Sequence, residues 1–212
     1  MRHLNLIDSF ITECDKTLKT LFGKPEVSDR SVPGAGLVEP NLSEIQKKES
    51  MRLMRINHAG EVSAQALYQG QALTAKLPEV RASMDQAARE ESDHLAWCER
   101  RVHQLGGRTS IFNPLWYAGS FVLGATAGKV GDKWSLGFVA ETETQVVKHL
   151  EQHIEKLSTE DTKSRAVLEQ MRDDEAHHRA MAIEAGGVDL PKPIKQAMSL
   201  VSKVMIAASY RL

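Results

Sequence analysis

Two Glu-x-x-His tetrads constrain this chain of 212 residues more than any other feature. They run from Glu91 to His94 and from Glu175 to His178, and a further glutamate precedes each of them. Glu61 lies 30 residues before Glu91, and Glu143 lies 32 residues before Glu175. If all four segments are helices, six side chains can converge in the interior of one four-helix bundle.

Turn residues and hydrophobic spacing predict an all-α chain. Aromatic content is only 5%, which favours helix over sheet. A Pro- and Gly-rich arm follows a short N-terminal helix, so the sequence divides into residues 1–42 and a helical domain at 43–212. Ser43 with Gln46 forms a capping box, Pro78 suits a first helical turn, and Ser158 is a candidate helix cap. The predicted helices cover residues 1–22, 43–77, 78–106, 133–157, 158–186 and 194–212.

Helical spacing indicates which carboxylates face the core. Glu143 shares one helix side with Val139, Val146 and Leu150. Glu141 instead lines up with Gln145 and Lys148, which is typical of a solvated face. We therefore expect Glu143 to point inward and Glu141 to point outward.

Several carboxylates on apolar faces need a compensating positive charge. Buried ion pairs are one solution, yet only Arg179 falls near a ligand candidate, Glu175. Two divalent cations would neutralise four carboxylates, and mixed carboxylate and imidazole ligands suit iron or manganese better than zinc. This ligand set is typical of ferritin-like di-iron and di-manganese proteins.

The neighbours of these residues leave several roles open. Glu90 and Asp174 are predicted to bond the far nitrogen of the opposite histidine, or else to be ordinary surface acids. His177 has the same three-residue spacing from Asp174, so this pair is an alternative to Glu175 and His178. His149 and His153 are candidates for metal binding or proton relay, or else core histidines, and Tyr68 is either a hydrogen-bond partner of the site or a packed core residue.

Composition excludes several classes of protein and partner. The net charge of −1 gives no reason to expect a nucleic-acid partner, and two cysteines are too few for a disulfide framework. Acidic residues in the first helix argue against a secretory signal or a mitochondrial presequence. The uncharged segment 109–128 is long enough to span a bilayer, but Pro114 and three glycines weaken that interpretation. It is either an interfacial membrane surface or a buried crossover.

Three segments together resemble a known family. Residues 57–61 read Asn-His-Ala-Gly-Glu and are followed by Tyr-Gln-Gly-Gln at 68–71. With residues 90–95 and 172–178, they resemble the ligand helices of the demethoxyubiquinone hydroxylases of ubiquinone biosynthesis. The resemblance extends from about residue 43 to the C-terminal Ser-Tyr-Arg-Leu, and the N-terminal arm is similar to that of longer bacterial members.

The resemblance implies a di-iron monooxygenase that converts 3-demethoxyubiquinol to 3-demethylubiquinol by hydroxylating the quinol ring. It implies two iron ions per chain, ferrous in the reduced form, with Glu91 and Glu175 bridging. Glu61, Glu91 and His94 would hold one iron, whereas Glu143, Glu175 and His178 would hold the other. His149 and Tyr68 are the candidate catalytic residues.

The same resemblance implies particular partners and a location. The partners are a polyprenyl benzoquinol, O2, an electron donor that the sequence does not identify, and other ubiquinone-biosynthesis proteins. The expected location is the cytoplasmic side of the bacterial inner membrane, through peripheral contact. The alternatives are a ferritin-like protein that stores or oxidises iron without an organic substrate, and a metal-free membrane-associated bundle.

Overall fold

The structure, a computed structural model, describes residues 6–23 and 27–212. This part of the chain forms helices and loops without strands, which confirms the predicted all-α fold. Helices α2, α3, α5 and α6 form a ferritin-like four-helix bundle. The helices are α1 (Leu6–Phe22), α2 (Glu44–Thr74), α3 (Pro78–Gln104), α4 (Asn113–Val130), α5 (Asp132–Lys156), α6 (Thr162–Glu184) and α7 (Lys192–Ser209).

The helix starts follow local capping chemistry, with one exception. The capping box is confirmed, because Ser43 and Gln46 each accept a hydrogen bond from the backbone N–H of the other. The predicted cap at Ser158 is wrong, since the fourth bundle helix begins later and its cap is Asp161. The carboxylate of Asp161 accepts from the backbone N–H of Ser164 at 3.1 Å and from Arg101 at 2.9 Å. This buried pairing of charges fixes the helix start, and helical spacing does not reveal it.

Two apolar clusters of the bundle core have the glutamates between them, and a third, formed by Val62, Ala66, Leu95 and Tyr117, joins α2 and α3 to α4. Along each helix of the bundle, the ligand glutamate separates a residue of one cluster from a residue of the other. On α2, for example, Glu61 lies between Met54 of the first cluster and Tyr68 of the second. Each fully buried aliphatic side chain contributes roughly 1.5–3 kcal/mol. The clusters include Met54, Trp97, Leu150, Leu168 and Met171 on one side, and Tyr68, Met84, Leu136, Val139 and Ala182 on the other.

The uncharged segment forms α4, which packs closely along α2. A methyl group on Gly124 would overlap the carbonyl of Leu67, so the two helices approach at backbone distance. The opposite face of α4 exposes apolar side chains, including Leu115 and Val122. Within residues 6–23 and 27–212, no helix is long and apolar enough to cross a bilayer. The segment is thus a crossover helix with one covered face and one exposed apolar face.

The remaining elements cover the outside of the bundle. Helix α1 contacts α2 and α4, whereas α7 contacts α2 and α5. Between α1 and α2, the arm crosses the surface of α3 and α6, where Ser28 contacts Asp93 and Arg30 contacts Asp174. Further along, Glu39 of the arm accepts a hydrogen bond from the buried Arg101.

Candidate metal centre

All six predicted ligands lie in the layer between the two apolar clusters. Each of their side chains is buried, with at most 4% of the residue exposed. The tightest group contains Glu61, Glu91, His94 and Glu175, and one ligand atom from each lies within 4.8 Å of the others. The structure therefore brings together residues from three helices of the bundle at one point.

Glu91 and Glu175 each lie between two imidazoles. The Nδ1 atom of His94 is 2.9 Å from Oε1 of Glu175 and 3.4 Å from Oε2 of Glu91. The Nδ1 atom of His178 is 3.1 Å from Oε2 of Glu175 and 3.3 Å from Oε1 of Glu91. Each carboxylate thus directs one oxygen towards each histidine, which is the arrangement needed to bridge two metal ions.

Glu143 lies outside this group of four. Its Oε1 atom accepts a hydrogen bond of 2.5 Å from the hydroxyl of Tyr68, so Tyr68 has a contact with a predicted ligand. The inward orientation of Glu143 is confirmed, since the residue is 2% exposed. Glu141 points away from the site and Lys148 on its face is exposed, as expected, but the Glu141 side chain itself is only 13% exposed, because Lys195 of α7 forms an ion pair of 3.2 Å with it.

The outer nitrogens of both site histidines contact acids from the opposite helix hairpin. Nε2 of His94 is 2.9 Å from Asp174, and Nε2 of His178 is 2.6 Å from Glu90. The predicted contacts of Asp174 and Glu90 are therefore confirmed. Because an acid contacts Nε2 on the outside of each ring, the Nδ1 atom faces the glutamates. Acidic partners of this kind fix the orientation of a metal-binding imidazole.

The alternative pair of Asp174 and His177 is wrong. His177 is exposed and lies away from the cluster, and Asp174 binds the outer nitrogen of His94 instead. Arg179, which the sequence placed near Glu175, is also exposed. It therefore does not neutralise the buried carboxylates.

The charges of the site fit a metal-binding group. Burial, together with the negative charge of Glu91, raises the pKa of Glu61, and burial with Glu175 raises that of Glu143. Burial opposes ionisation of Glu91 too, but the adjacent imidazoles of His94 and His178 together outweigh it and lower the pKa of Glu91. No Lys or Arg of the described residues forms an ion pair with these glutamates. Both Glu91 oxygens and Oε2 of Glu61 are buried without a hydrogen-bond partner there. Nδ1 of His94, at 2.9 Å from Oε1 of Glu175, faces the same group of oxygens, so a cation that replaces its proton could bind all four atoms.

An apolar cavity of about 320 Å³ adjoins the site. It lies among α2, α4, α5 and α7, and Glu61, Glu143 and Glu175 contribute to its lining. The other lining side chains are mostly apolar, and they include Leu67, Trp116, Leu123, Phe138, Val146, Met198, Val201 and Met205. A flat, largely hydrophobic molecule could therefore reach the carboxylates through this cavity.

His149 lines the cavity and lies outside the group of four. Burial lowers its pKa to about 4, so the ring is neutral at pH 7, and its buried Nε2 atom has no hydrogen-bond partner among the described residues. The ring packs edge-on against His153, at 3.8 Å between centroids. Nδ1 of His153 in turn lies 3.0 Å from the side-chain oxygen of Asn57. The structure thus places His149 at the cavity and His153 behind it.

Comparison with known proteins places these features in one family. Residues 48–209 match the family described as ubiquinone biosynthesis protein COQ7. The chain belongs to the COQ7 family. A similar protein from Nitrosococcus oceani, named 3-demethoxyubiquinol 3-hydroxylase, is 56% identical over 99% of this chain and 98% of its own length. Proteins of the same name from Nitrosomonas europaea and Stutzerimonas stutzeri are 56% and 55% identical, over 96% and 100% of this chain and 98% of their own lengths.

The COQ7 match contains all six predicted ligands but begins after the arm. Sequence reasoning missed the contacts that this arm makes beside the site, namely those of Ser28 and Arg30. A single arginine in a Pro- and Gly-rich segment has no helical periodicity that would indicate its partner. Only the path of the arm across α3 and α6 reveals it.

Proposed function

We propose that this COQ7 family member is a 3-demethoxyubiquinol 3-hydroxylase that uses two iron ions. The observation that carries the proposal is the position of Glu91 and Glu175 between two buried imidazoles, at the end of an apolar cavity. The names of relatives that cover nearly the whole chain support the same activity.

The six buried residues would divide between two irons. Glu61, Glu91 and His94 would hold one ion, Glu143, Glu175 and His178 would hold the other, and Glu91 and Glu175 would bridge them. When bound, the irons would activate O2 so that one oxygen atom can enter the quinol ring. The protein supplies the ligand geometry and a site that excludes water.

The cavity would bind the quinol ring and the start of its polyprenyl tail. Apolar side chains from α4 and α7 line it together with Glu61, Glu143 and Glu175, so the tail would contact the apolar residues and the reacting ring would lie beside the glutamates. His149 offers a neutral imidazole with a free Nε2 atom to this space. We assign it the role of accepting a hydrogen bond from a quinol hydroxyl, and Tyr68 the role of holding Glu143.

The exposed apolar faces of α4 and α7 would form a peripheral contact with the cytoplasmic face of the bacterial inner membrane. Both helices flank the cavity, and both expose large aliphatic side chains on their outer faces. A polyprenyl quinol is held in lipid, so a cavity that opens between two lipid-facing helices would receive it directly. These outward residues are Leu115 and Val122 on α4, and Leu200 and Val204 on α7.

An anaerobic titration with ferrous iron, followed by O2 and a short-tailed demethoxyubiquinol, tests the proposal. We expect two irons per chain and a hydroxylated quinol that contains one oxygen atom from ¹⁸O2. Iron oxidation without a hydroxylated product would favour the storage alternative and would overturn the proposed activity.

Glu143→Gln and Glu141→Gln form a matched pair for this experiment, because the two residues are neighbours on α5 and face opposite ways. We expect Glu143→Gln to abolish turnover and to weaken binding of one iron. Glu141→Gln should retain both properties, since it removes only an ion pair with Lys195. Equal losses in the two variants would contradict the ligand assignment.

A further inference from the structure

The N-terminal arm places one arginine beside the proposed metal centre. Nη2 of Arg30 donates a hydrogen bond of 2.6 Å to Oδ2 of Asp174. Its guanidinium also lies 5.0 Å above the ring of Trp97, within the range of a cation–π contact. Trp97 and His94 are themselves in ring contact, at 5.4 Å between centroids. Arg30 therefore contacts two residues that surround His94.

The oxygen of Asp174 that Arg30 binds is also the one that contacts His94. Oδ2 of Asp174 is 2.9 Å from Nε2 of His94, and Oδ1 accepts a hydrogen bond of 2.9 Å from Gln170. One-fifth of the Asp174 side chain is exposed, at 20%, so the carboxylate could turn towards water if Arg30 were absent. The guanidinium of Arg30 thus binds Asp174 at the outer end of the contacts that run from Arg30 through Asp174 to His94.

A second contact of the arm holds the residue that precedes His94. The backbone N–H and the hydroxyl of Ser28 donate to the two oxygens of Asp93, at 2.8 and 2.6 Å. Asp93 is buried, with 1% of the residue exposed. The path of the arm is thus fixed two residues before Arg30, which limits where the guanidinium can lie.

The other half of the site has no such support from the arm. Glu90, which contacts the outer nitrogen of His178, accepts a hydrogen bond of 2.7 Å from Gln86 on its own helix. No arginine forms an ion pair with Glu90 among the residues that the structure describes. Within residues 27–42, the arm therefore supports the histidine contact on the His94 side and not the one on the His178 side.

We propose that Arg30 is a positioning residue that holds Asp174 against His94 and so determines how firmly the iron on the His94 side is retained. The inference rests on the proposed function only in taking His94 as an iron ligand. Partners of a ligating histidine orient its ring, and their loss typically weakens metal binding by about 10- to 100-fold. The arm thus gives the two irons different retention, although both have the same types of ligand.

The test measures iron release from the full-length, ferrous-loaded chain. Native protein, Arg30→Ala, Arg30→Lys and Arg172→Ala are mixed anaerobically with a ferrous chelator, and the rate of release is followed by absorbance. Arg172 is the matched control, because it forms an exposed pair with Asp173 on the helix that carries Asp174 but contacts no predicted ligand. We expect one of the two irons to leave Arg30→Ala about tenfold faster or more, and Arg172→Ala to behave as native.

Arg30→Lys keeps a positive charge beside Asp174, so it should release iron more slowly than Arg30→Ala. Mössbauer spectra of ⁵⁷Fe-loaded Arg30→Ala should show a change in one of two ferrous environments. Thermal unfolding is measured in parallel, because Arg30 also lies 3.9 Å from the buried Asp93, and a variant that remains folded at the assay temperature shows that faster release is a local effect. Native-like release from Arg30→Ala, or equal effects on both irons, would overturn the inference. A native chain that binds no iron would instead overturn the proposed function.

Discussion

Charge balance at single residues explains how the buried carboxylates are tolerated in the metal-free chain. Although burial opposes a positive charge on His178, the adjacent Glu175 and Glu91 raise its pKa to about 12. Glu91 likewise raises the pKa of His94 against the effect of burial. Two imidazolium groups thus take the place of cations, and a metal ion must displace a proton from each Nδ1 atom in order to bind.

The unfolding free energy of the metal-free chain should therefore fall between pH 7 and 9. A histidine in the unfolded chain titrates near pH 6.5, whereas folded His178 keeps its proton up to about pH 12. The folded state then binds more protons, and stability is lost as pH rises, by at most about 1.4 kcal/mol per pH unit for each proton. The measurement is urea unfolding of chelator-treated protein at several pH values, followed by circular dichroism.

His178→Gln and His177→Gln provide the comparison for this pH dependence. His178→Gln should reduce the slope by at most about 1.4 kcal/mol per pH unit, whereas His177→Gln should leave it intact, because His177 is exposed. Part of the slope should remain in His178→Gln, because the pKa values of His94, Glu61 and Glu143 are also raised in the folded chain. His58, His149 and His153 do not contribute above pH 7, because burial lowers the pKa of all three and they are neutral in both states. An unchanged slope in His178→Gln would contradict the proton assignment.

Much of the site could be predicted at this scale because helical geometry is local. Spacing alone separated Glu143 from Glu141. Glu90 and Asp174 could be proposed as partners of the opposite histidines because each precedes a tetrad glutamate, but ordinary surface acids remained an alternative. Spacing favoured His178 with Glu175, yet it left Asp174 with His177 as an alternative, because both histidines have an acid three residues before them. It also could not show that Tyr68 contacts Glu143, since these two residues lie 75 positions apart on different helices.

At the scale of helices, the approach of α4 to α2 depends on small residues at their contact. Gly124→Ala would place a methyl group against the carbonyl of Leu67, so the helices must separate. We expect this variant to lose about 1–3 kcal/mol of unfolding free energy, which is the usual cost of overpacking. Thermal or urea denaturation measures the loss.

Gly119→Ala on the same helix is the control, because a methyl group there meets open space. It should be neutral or should stabilise the protein by up to about 1 kcal/mol, since alanine favours helix more than glycine does. If both variants lost equal stability, the loss would not depend on the close approach of α2 and α4 at Gly124, contrary to our interpretation.

Helix boundaries could be predicted where a neighbouring residue caps the helix. They could not be predicted where the start of a helix depends on a residue far away in the sequence. The starts at Ser43 and Pro78 follow from their own neighbourhoods. The start of α6 depends on Arg101, which is 60 residues from Asp161 in sequence and only 2% exposed. The packing of α4 could not be predicted either, because an uncharged stretch does not indicate which of its faces another helix will cover.

At the scale of the whole molecule, polarity is arranged in layers around the cavity. Carboxylates form the middle layer of the bundle, and apolar clusters lie on both sides of it. The cavity leads from this layer to α4 and α7, whose outer faces expose Val122 and Leu200 at 63% and 64%. The apolar cavity and an apolar exterior therefore meet at the same side of the bundle.

This arrangement predicts that the full chain binds lipid vesicles through α4 and α7. Flotation with phosphatidylethanolamine–phosphatidylglycerol vesicles should recover native protein with the lipid, and recovery should persist at high salt because apolar contacts are not screened. The double variant Val122→Asp with Leu200→Asp should bind more than tenfold more weakly, since burying one such side chain contributes roughly 1.5–3 kcal/mol. Val38→Asp, on the arm and 87% exposed, is the control and should float as native. Equal recovery of the native chain and the double variant would show that another surface meets the lipid.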